Sequence, residues 1–244
     1  MMSRVVKMNL TTPNPGNTLY SGEVFRELIP ADCRRIEFLY GNNNIGSIHV
    51  GDNIYANYDN SVLTIESEND IYANDDCSCM FAGNCNEFIY DGVEEIVLDN
   101  FNTSRVCDMS NMFANRRSLH ELNLSNFNTE NVRDMHAMFS GCEGLETLDI
   151  SSFDTSRVLN MCSMFASIPL IEDIDVSNFN TSNVKDMSHM FYFCCSLNSI
   201  NLSSFKFDNV KSVKFMFDHC TVLTEEDMTE LGLNNVNDVD KIFG

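Results

Sequence analysis

Positive charge is scarce in this chain: 15 lysines and arginines stand against 36 aspartates and glutamates, a net charge of −21. A field of that sign repels phosphate backbones and anionic lipid surfaces, which argues against nucleic-acid and membrane-surface roles and favours a basic protein partner. Acidity spread over a whole surface also serves solubility alone, so both uses stay open at this point. Long apolar runs are missing too. No stretch approaches the roughly 18 residues of a membrane span. The opening MMSRVVKMNLTTPNPG has neither the apolar centre of a secretory signal nor a lipobox cysteine. The expectation is therefore a cytoplasmic or virion-associated protein, with a viral source favoured.

Signatures of chemistry are also lacking. There is no glycine-rich phosphate loop, no G-x-S-x-G and no H-E-x-x-H. His49, His120, His136, His189 and His219 share no repeat position, and none has a sequence-near partner spaced as a triad or metal pair. Cys77, Cys79 and Cys85 form the one dense cysteine group, without a fourth ligand or paired C-x-x-C spacing. No catalytic residue, cofactor or metal site is expected. An enzyme would have to place its site in the irregular first 90 residues.

What the chain does have is a strict internal period. The phrase FNTxxVxDMxxMF recurs with Phe101, Phe127, Phe153, Phe179 and Phe205 each 26 residues after the last. One small unit is being stacked. Counting on from Phe205, Val236, Asp238, Val239, Ile242 and Phe243 take the Val, Asp, Met, Met and Phe positions, so the sequence stops in a half coil. Counting back, Val93, Ile96 and Leu98 match Leu119, Leu122 and Leu124. Met80 and Phe81 sit six residues too far upstream, which places an insertion in AGNCNEFIYDGV.

Two hydrophobic spacings alternate within each unit. Leu119, Leu122 and Leu124 follow L-x-x-L-x-L, a strand signature repeated at Leu145, Leu148 and Ile150 and in the units beyond. Val132, Met135, Met138, Phe139 and Cys142 are three or four apart, which predicts a short helix, with Asn131 and Asp134 or Asn183 and Asp186 as its capping box. Stacking turns each apolar position into a ladder, and Asn102, Asn128, Asp154 and Asn180 are expected to bond along the stack. At about 4.8 Å per coil, about six or seven coils make a rod on the order of 30 Å.

The phrases SNFNTENVRDMHAMFSGCEGLETLDIS and SNFNTSNVKDMSHMFYFCCSLNSINLS resemble the BspA-like leucine-rich repeats, in the subclass described as a repeat of unknown function in mycoplasma surface lipoproteins. The resemblance covers roughly residues 61 to 244 and is strongest from Val93 to Phe217. It implies an α/β leucine-rich-repeat solenoid with one short strand and one short helix per coil. It also implies adhesion or protein binding, and no catalytic residues. The expected organisation is an N-terminal β-rich cap over residues 1–60, followed by the repeat over 61–244. RRIEFLYG, SIHVGDNIY and SVLTIES read as strands of the cap, and TTPNPG as a turn. Tyr20, Tyr40, Tyr55, Tyr58 and Tyr72 leave open a docking module instead.

Cys142, Cys194 and Cys220 share a repeat position with Arg116 and Ile168. They read as small buried thiols, although adjacent coils would also bring Cys194 and Cys220 within disulfide range. In an L-x-x-L-x-L segment the residues between the leucines face outward. That row includes Glu95, Glu121 with Asn123, Asp149, and Asp173 with Asp175. These six form the candidate partner-binding face of a non-enzymatic module for a basic protein. Calcium is disfavoured because the carboxylates are spread over strands without a tight loop. The alternative is a structural component of a virion or cell surface with no dedicated ligand. The sequence leaves the oligomeric state open.

Overall fold

Alternating apolar residues build the first part of the chain. The protein is described from a computed structural model that covers residues 17–41, 46–83, 92–222 and 241–243. In β1 (Arg35–Tyr40) Ile36 and Phe38 point into the core, as do Ile54 and Ala56 of β3 (Ile54–Asp59) and Leu63 and Ile65 of β4 (Val62–Ser67). With β2 (Ile48–Gly51) and β5 (Glu95–Val97) they form one mixed sheet of order β2-β3-β4-β1-β5. SIHVGDNIY is thus not one strand but the hairpin β2–β3. The β3–β4 turn places Asn60 and Ser61 at φ 48° and 64°. That left-handed pair suits a type I′ hairpin, whose twist matches its strands. TTPNPG lies outside the described residues.

The sheet crosses into the repeat. β1 pairs in parallel with both β4 and β5, matching Arg35 to Glu95 and Ile36 to Ile96. A helix the sequence did not signal, α1 (Gly22–Leu28), sets Phe25 5.8 Å from the rings of both Phe38 and Phe81. Its first residue must be glycine, because a Cβ there would lie 2.1 Å from the Ser78 carbonyl oxygen.

The repeat region corrects the expected fold class. It is not an α/β solenoid with a strand and a helix in every coil: among the described residues, regular structure is confined to α1 and the five-stranded sheet. Where a helix was expected, Asn111, Ala137, Ser163, His189 and Phe215 all have φ between 51° and 58°. A right-handed helix cannot pass through that conformation. The backbone instead makes successive β-turns. The Met138 N–H donates to the Met135 carbonyl (3.3 Å), and the Cys142 N–H to the Phe139 carbonyl (3.2 Å). Alternating with these, the N–H groups of Met135, Ala137, Phe139 and Gly141 donate at 2.8–3.0 Å to Asn160, Cys162, Met164 and Ala166, one repeat further on. Turns closed between i and i+3 bring Met135, Met138 and Phe139 to one side just as a helix would, so a three-four spacing fits both.

The capping box and the regular strands are absent as well. Asp134 accepts from the His136 N–H (2.8 Å), while Asn131 donates to the Ser104 carbonyl (3.0 Å). Isolated parallel bridges link Asp108, Asp134, Asn160, Asp186 and Ser212 in successive layers, at the V-x-D-M segment. Among the described residues of the L-x-x-L-x-L segments only β5 is a strand, and Asp173 bridges Ser199.

Stacking at a 26-residue interval is nevertheless visible in the side chains. The rings of Phe113, Phe139, Phe165, Phe191 and Phe217 follow one another at 5.3–5.8 Å, within 13° of parallel. The polar ladder sits elsewhere than expected. Asn102, Asn128, Asp154 and Asn180 turn their side-chain oxygens onto the N–H two residues on, at 2.8–3.1 Å. The bond along the stack belongs to the neighbouring threonine. The Thr129 hydroxyl accepts from the Asp154 N–H (2.8 Å) and donates to the Asp154 carbonyl (2.9 Å), a pattern shared by Thr103, Thr155 and Thr181. Asn100, Asn126 and Asn178, which precede the phenylalanines, donate back to carbonyls of the layer before. At the far end the Phe217 N–H donates to Ile242 (2.9 Å) and Phe243 lies 6.2 Å from Phe217; Val236, Asp238 and Val239 lie outside the described residues.

Candidate functional site

Burial separates the two sides of each L-x-x-L-x-L segment. Leu119, Leu122 and Leu124 are buried while Glu121 and Asn123 between them are exposed, and Asp149, Asp173 and Asp175 are likewise exposed. Glu95 is exposed on β5. All six candidate residues therefore lie on the outer side of their layers.

Their engagements differ. Arg35 of β1 forms an ion pair with Glu95, and Arg34 reaches Glu94 at 2.8 Å. The side-chain oxygens of Asn123, Asp149 and Asp175 accept the N–H of Ser125, Ser151 and Ser177 at 2.9–3.1 Å. Each thereby closes a turn of the Asx type. These bonds hold the carboxyls of Asp149 and Asp175 below the ordinary aspartate value, through the Ser151 N–H and then its hydroxyl for Asp149, and through the Ser177 hydroxyl and then its N–H for Asp175. Among the described residues the side chains of Glu121 and Asp173 make no ion pair or hydrogen bond.

One shallow groove gathers part of the row. It is lined by Glu95, Val97, Asp99, Glu121, Asn123 and Asn126. Asp149, Asp173 and Asp175 continue the row outside it.

Sequence reasoning passed over a second row. The position before the bridging aspartate holds Cys107, Arg133, Leu159, Lys185 and Lys211, all exposed, each joined to the layer before it by an N–H···O bond of 2.8 Å. Three of the scarce cations, Arg133, Lys185 and Lys211, thus share the V-x-D-M column, while Arg35 meets the carboxylate row itself at Glu95. The residue letters carried this signal, since three of the five are basic.

The cysteines at the shared repeat position serve the stack. Cys142, Cys194 and Cys220 donate S–H to the carbonyls of Phe113, Phe165 and Phe191 at 3.0–3.2 Å, where Arg116 reaches Phe81. Burial pushes the Cys194 thiol well up and the Cys220 thiol to about 12. Cys194 and Cys220 are free thiols. Cys77 is buried, and Cys85 lies outside the described residues. Among the described residues no three histidine, cysteine or acidic side chains are grouped to hold a metal ion, and no helix is long and apolar enough to cross a membrane.

A family model described as "Mycoplasma protein of unknown function, DUF285" matches residues 75–173 and again 149–244. The two matches overlap and together take in well over half of the chain. No curated protein and no solved structure matches.

Proposed function

The chain belongs to the Mycoplasma DUF285 family, whose function is unknown, and from that premise we propose that it is a non-enzymatic module that holds a basic protein surface against its acidic face. The observation that carries this reading is the exposed row itself: carboxylates recur on one side of successive layers, and those of Glu121 and Asp173 are engaged by no neighbour among the described residues. A row repeated at layer spacing presents several weak charge contacts to one partner at once, which favours association rate and selectivity. On the phase-matched letters we also place the chain beside the BspA-like repeats, as kinship of sequence and not of a strand-and-helix coil.

The test is capture from the native source with quantitative mass spectrometry. Intact protein is compared with a variant carrying Glu121→Gln, Asp149→Asn, Asp173→Asn and Asp175→Asn. Asparagine keeps the acceptor that closes each turn, so the change removes charge and spares the fold. A second variant removes four charges elsewhere, through Glu23→Gln, Glu27→Gln, Glu130→Gln and Asp208→Asn. A basic protein held by the intact chain and by the second variant, but lost from the first, is the expected result. Equal retention by all three overturns the assignment of the face and leaves a structural role.

A further inference from the structure

The column two residues after the bridging Asp108, Asp134, Asn160, Asp186 and Ser212 holds Ser110, His136, Cys162, Ser188 and Lys214. Backbone bonds fix these residues in consecutive layers: Ala137 N–H donates to the Cys162 carbonyl at 2.9 Å, and Ser163 N–H to the Ser188 carbonyl at 2.9 Å. A histidine, a cysteine and a serine therefore stand side by side on one half-buried surface, about one strand spacing, roughly 4.8 Å, apart.

The contacts among them are specific. His136 Nδ1 donates to the Cys162 carbonyl oxygen at 2.9 Å, which lays the ring against Cys162. On the other side the Ser188 hydroxyl lies 3.3 Å from Cys162 Sγ and 2.6 Å from Asp186 Oδ1. One O–H donates once. While sulfur carries its proton, Ser188 gives its own to Asp186. Once sulfur is charged, the same hydroxyl can turn to it. Ser163 Oγ, at 3.6 Å, is a further polar neighbour.

We propose that this His136–Cys162–Ser188 column is a thiol modification site, at which Cys162 exchanges with a low-molecular-weight disulfide such as glutathione disulfide. The proton of Cys162 passes to His136. The thiolate attacks one sulfur of the disulfide, the sulfur–sulfur bond breaks, and the departing thiolate takes the proton back. Cys162 ends in a mixed disulfide and one free small thiol is released. No other oxidant is needed.

The electrostatics agree with the geometry. The hydrogen bond from His136 is the largest influence on Cys162 and pulls its thiol below the ordinary value, with Ser188 and Ser163 adding to it; partial burial and the charge of Asp186 oppose. The same bond raises His136, helped by the Asp134 carboxylate and opposed by burial. Lys214 ends the column two layers beyond Cys162. By contrast, burial pushes Cys33, Cys77, Cys79, Cys194 and Cys220 upward. Among the described residues the thiol of exposed Cys107 is partnered by the Arg105 carbonyl, at 3.7 Å, and it serves as an internal reference.

The experiment treats the full chain with glutathione disulfide, and separately with iodoacetamide, at about pH 6.5, and reads each cysteine by peptide mass spectrometry. The thiolate is the reacting species, so the expected result is modification of Cys162 about tenfold ahead of Cys107. His136→Asn lowers that ratio by about tenfold and moves the pH midpoint of Cys162 alkylation upward, while the buried Cys194 and Cys220, which stay unmodified only in the folded chain, report that the fold is kept. A Cys162 that reacts no faster than Cys107 in the unaltered chain overturns the proposal without reference to any variant. So does a ratio that His136→Asn leaves unchanged.

Discussion

Replacing Gly141 by alanine separates a turn from a helix by the sign of its effect. Gly141 is the third residue of the turn closed by the Cys142 N–H and has φ 74°. An L-residue in that left-handed conformation carries strain of roughly 1–2 kcal/mol. Alanine recovers about 0.4–1 kcal/mol by restricting the unfolded chain. Its new methyl would also lie 2.7 Å from Asn115 Oδ1, a side-chain atom that must turn away. The balance is a loss of about 1 kcal/mol. In a helix the same change would gain about 1 kcal/mol, so the two backbones differ by about 2 kcal/mol. The converse change is available one repeat on, where Ser167 holds φ 58°. Ser167→Gly relieves that strain at a cost of about 0.5–1 kcal/mol in chain entropy, for a net gain of about 0.5 kcal/mol. The assay is urea unfolding with the slope unchanged, so that midpoints compare stability directly. A Gly141→Ala variant more stable than the parent would refute the turn assignment.

Thr129→Val removes the hydroxyl that both accepts from and donates to the Asp154 backbone. Two backbone groups lose their partner; because Asp154 is itself exposed, water reaches part of the gap, and the cost is about 1–3 kcal/mol. Thr129→Ser keeps the hydroxyl and loses a methyl, about 1 kcal/mol, so a urea midpoint lower for serine than for valine contradicts the ladder. The second expectation concerns acid. Asp149 and Asp175 are depressed in the folded chain, so the stability they contribute is present above the ordinary value of 3.8 and is lost as pH falls through the lower folded value. A variant with both residues changed to asparagine keeps the turn bond without the proton linkage. Its urea midpoint is expected to fall less than the parent's between about pH 5 and pH 2.5, and an identical fall would remove the two aspartates as the cause.

Which residues lie inside was legible from the letters. Val132, Met135, Met138, Phe139 and Cys142 are all buried, and so are Leu119, Leu122 and Leu124. The 26-residue phase carries that information whatever path the backbone takes. The path itself was misread because spacings of three and four satisfy a helix and a run of i-to-i+3 turns equally. A distinguishing signal was present at two columns. Asn115, Gly141, Ser167, Phe193 and His219 share one left-handed position, and Asn111, Ala137, Ser163, His189 and Phe215 share another, so the signal is diluted by Phe193, Ala137 and Phe215. Glycine is at home there, and asparagine and histidine are enriched at positive φ, whereas few of these residues favour a helix interior. The polar ladder was misplaced for a related reason: an amide two residues from a serine N–H closes its own turn first, which leaves the long-range bond to threonine.

The same turn chemistry bears on what the acidic face is for. At the Asx position of successive layers stand Asn123, Asp149, Asp175 and Asn201, and each accepts the N–H two residues on at 2.9–3.1 Å. Amide and carboxylate do this work alike, since each offers an oxygen in the same place. The fold therefore requires an acceptor at these sites and accepts either an amide or a carboxylate there, the ionised carboxylates of Asp149 and Asp175 being favoured by the same bonds. Glu121 and Asp173 go further, because their carboxylates support no bond within the described residues at all. At Glu121 and Asp173 packing leaves the choice between neutral and anionic free, and an anion there adds repulsion to its neighbours with no bond within the described residues to offset it. The proposed basic partner would supply the counter-charge that the described residues do not. The exchange of asparagine for aspartate along the row isolates that choice, because it changes the charge offered to a partner while leaving each turn closed.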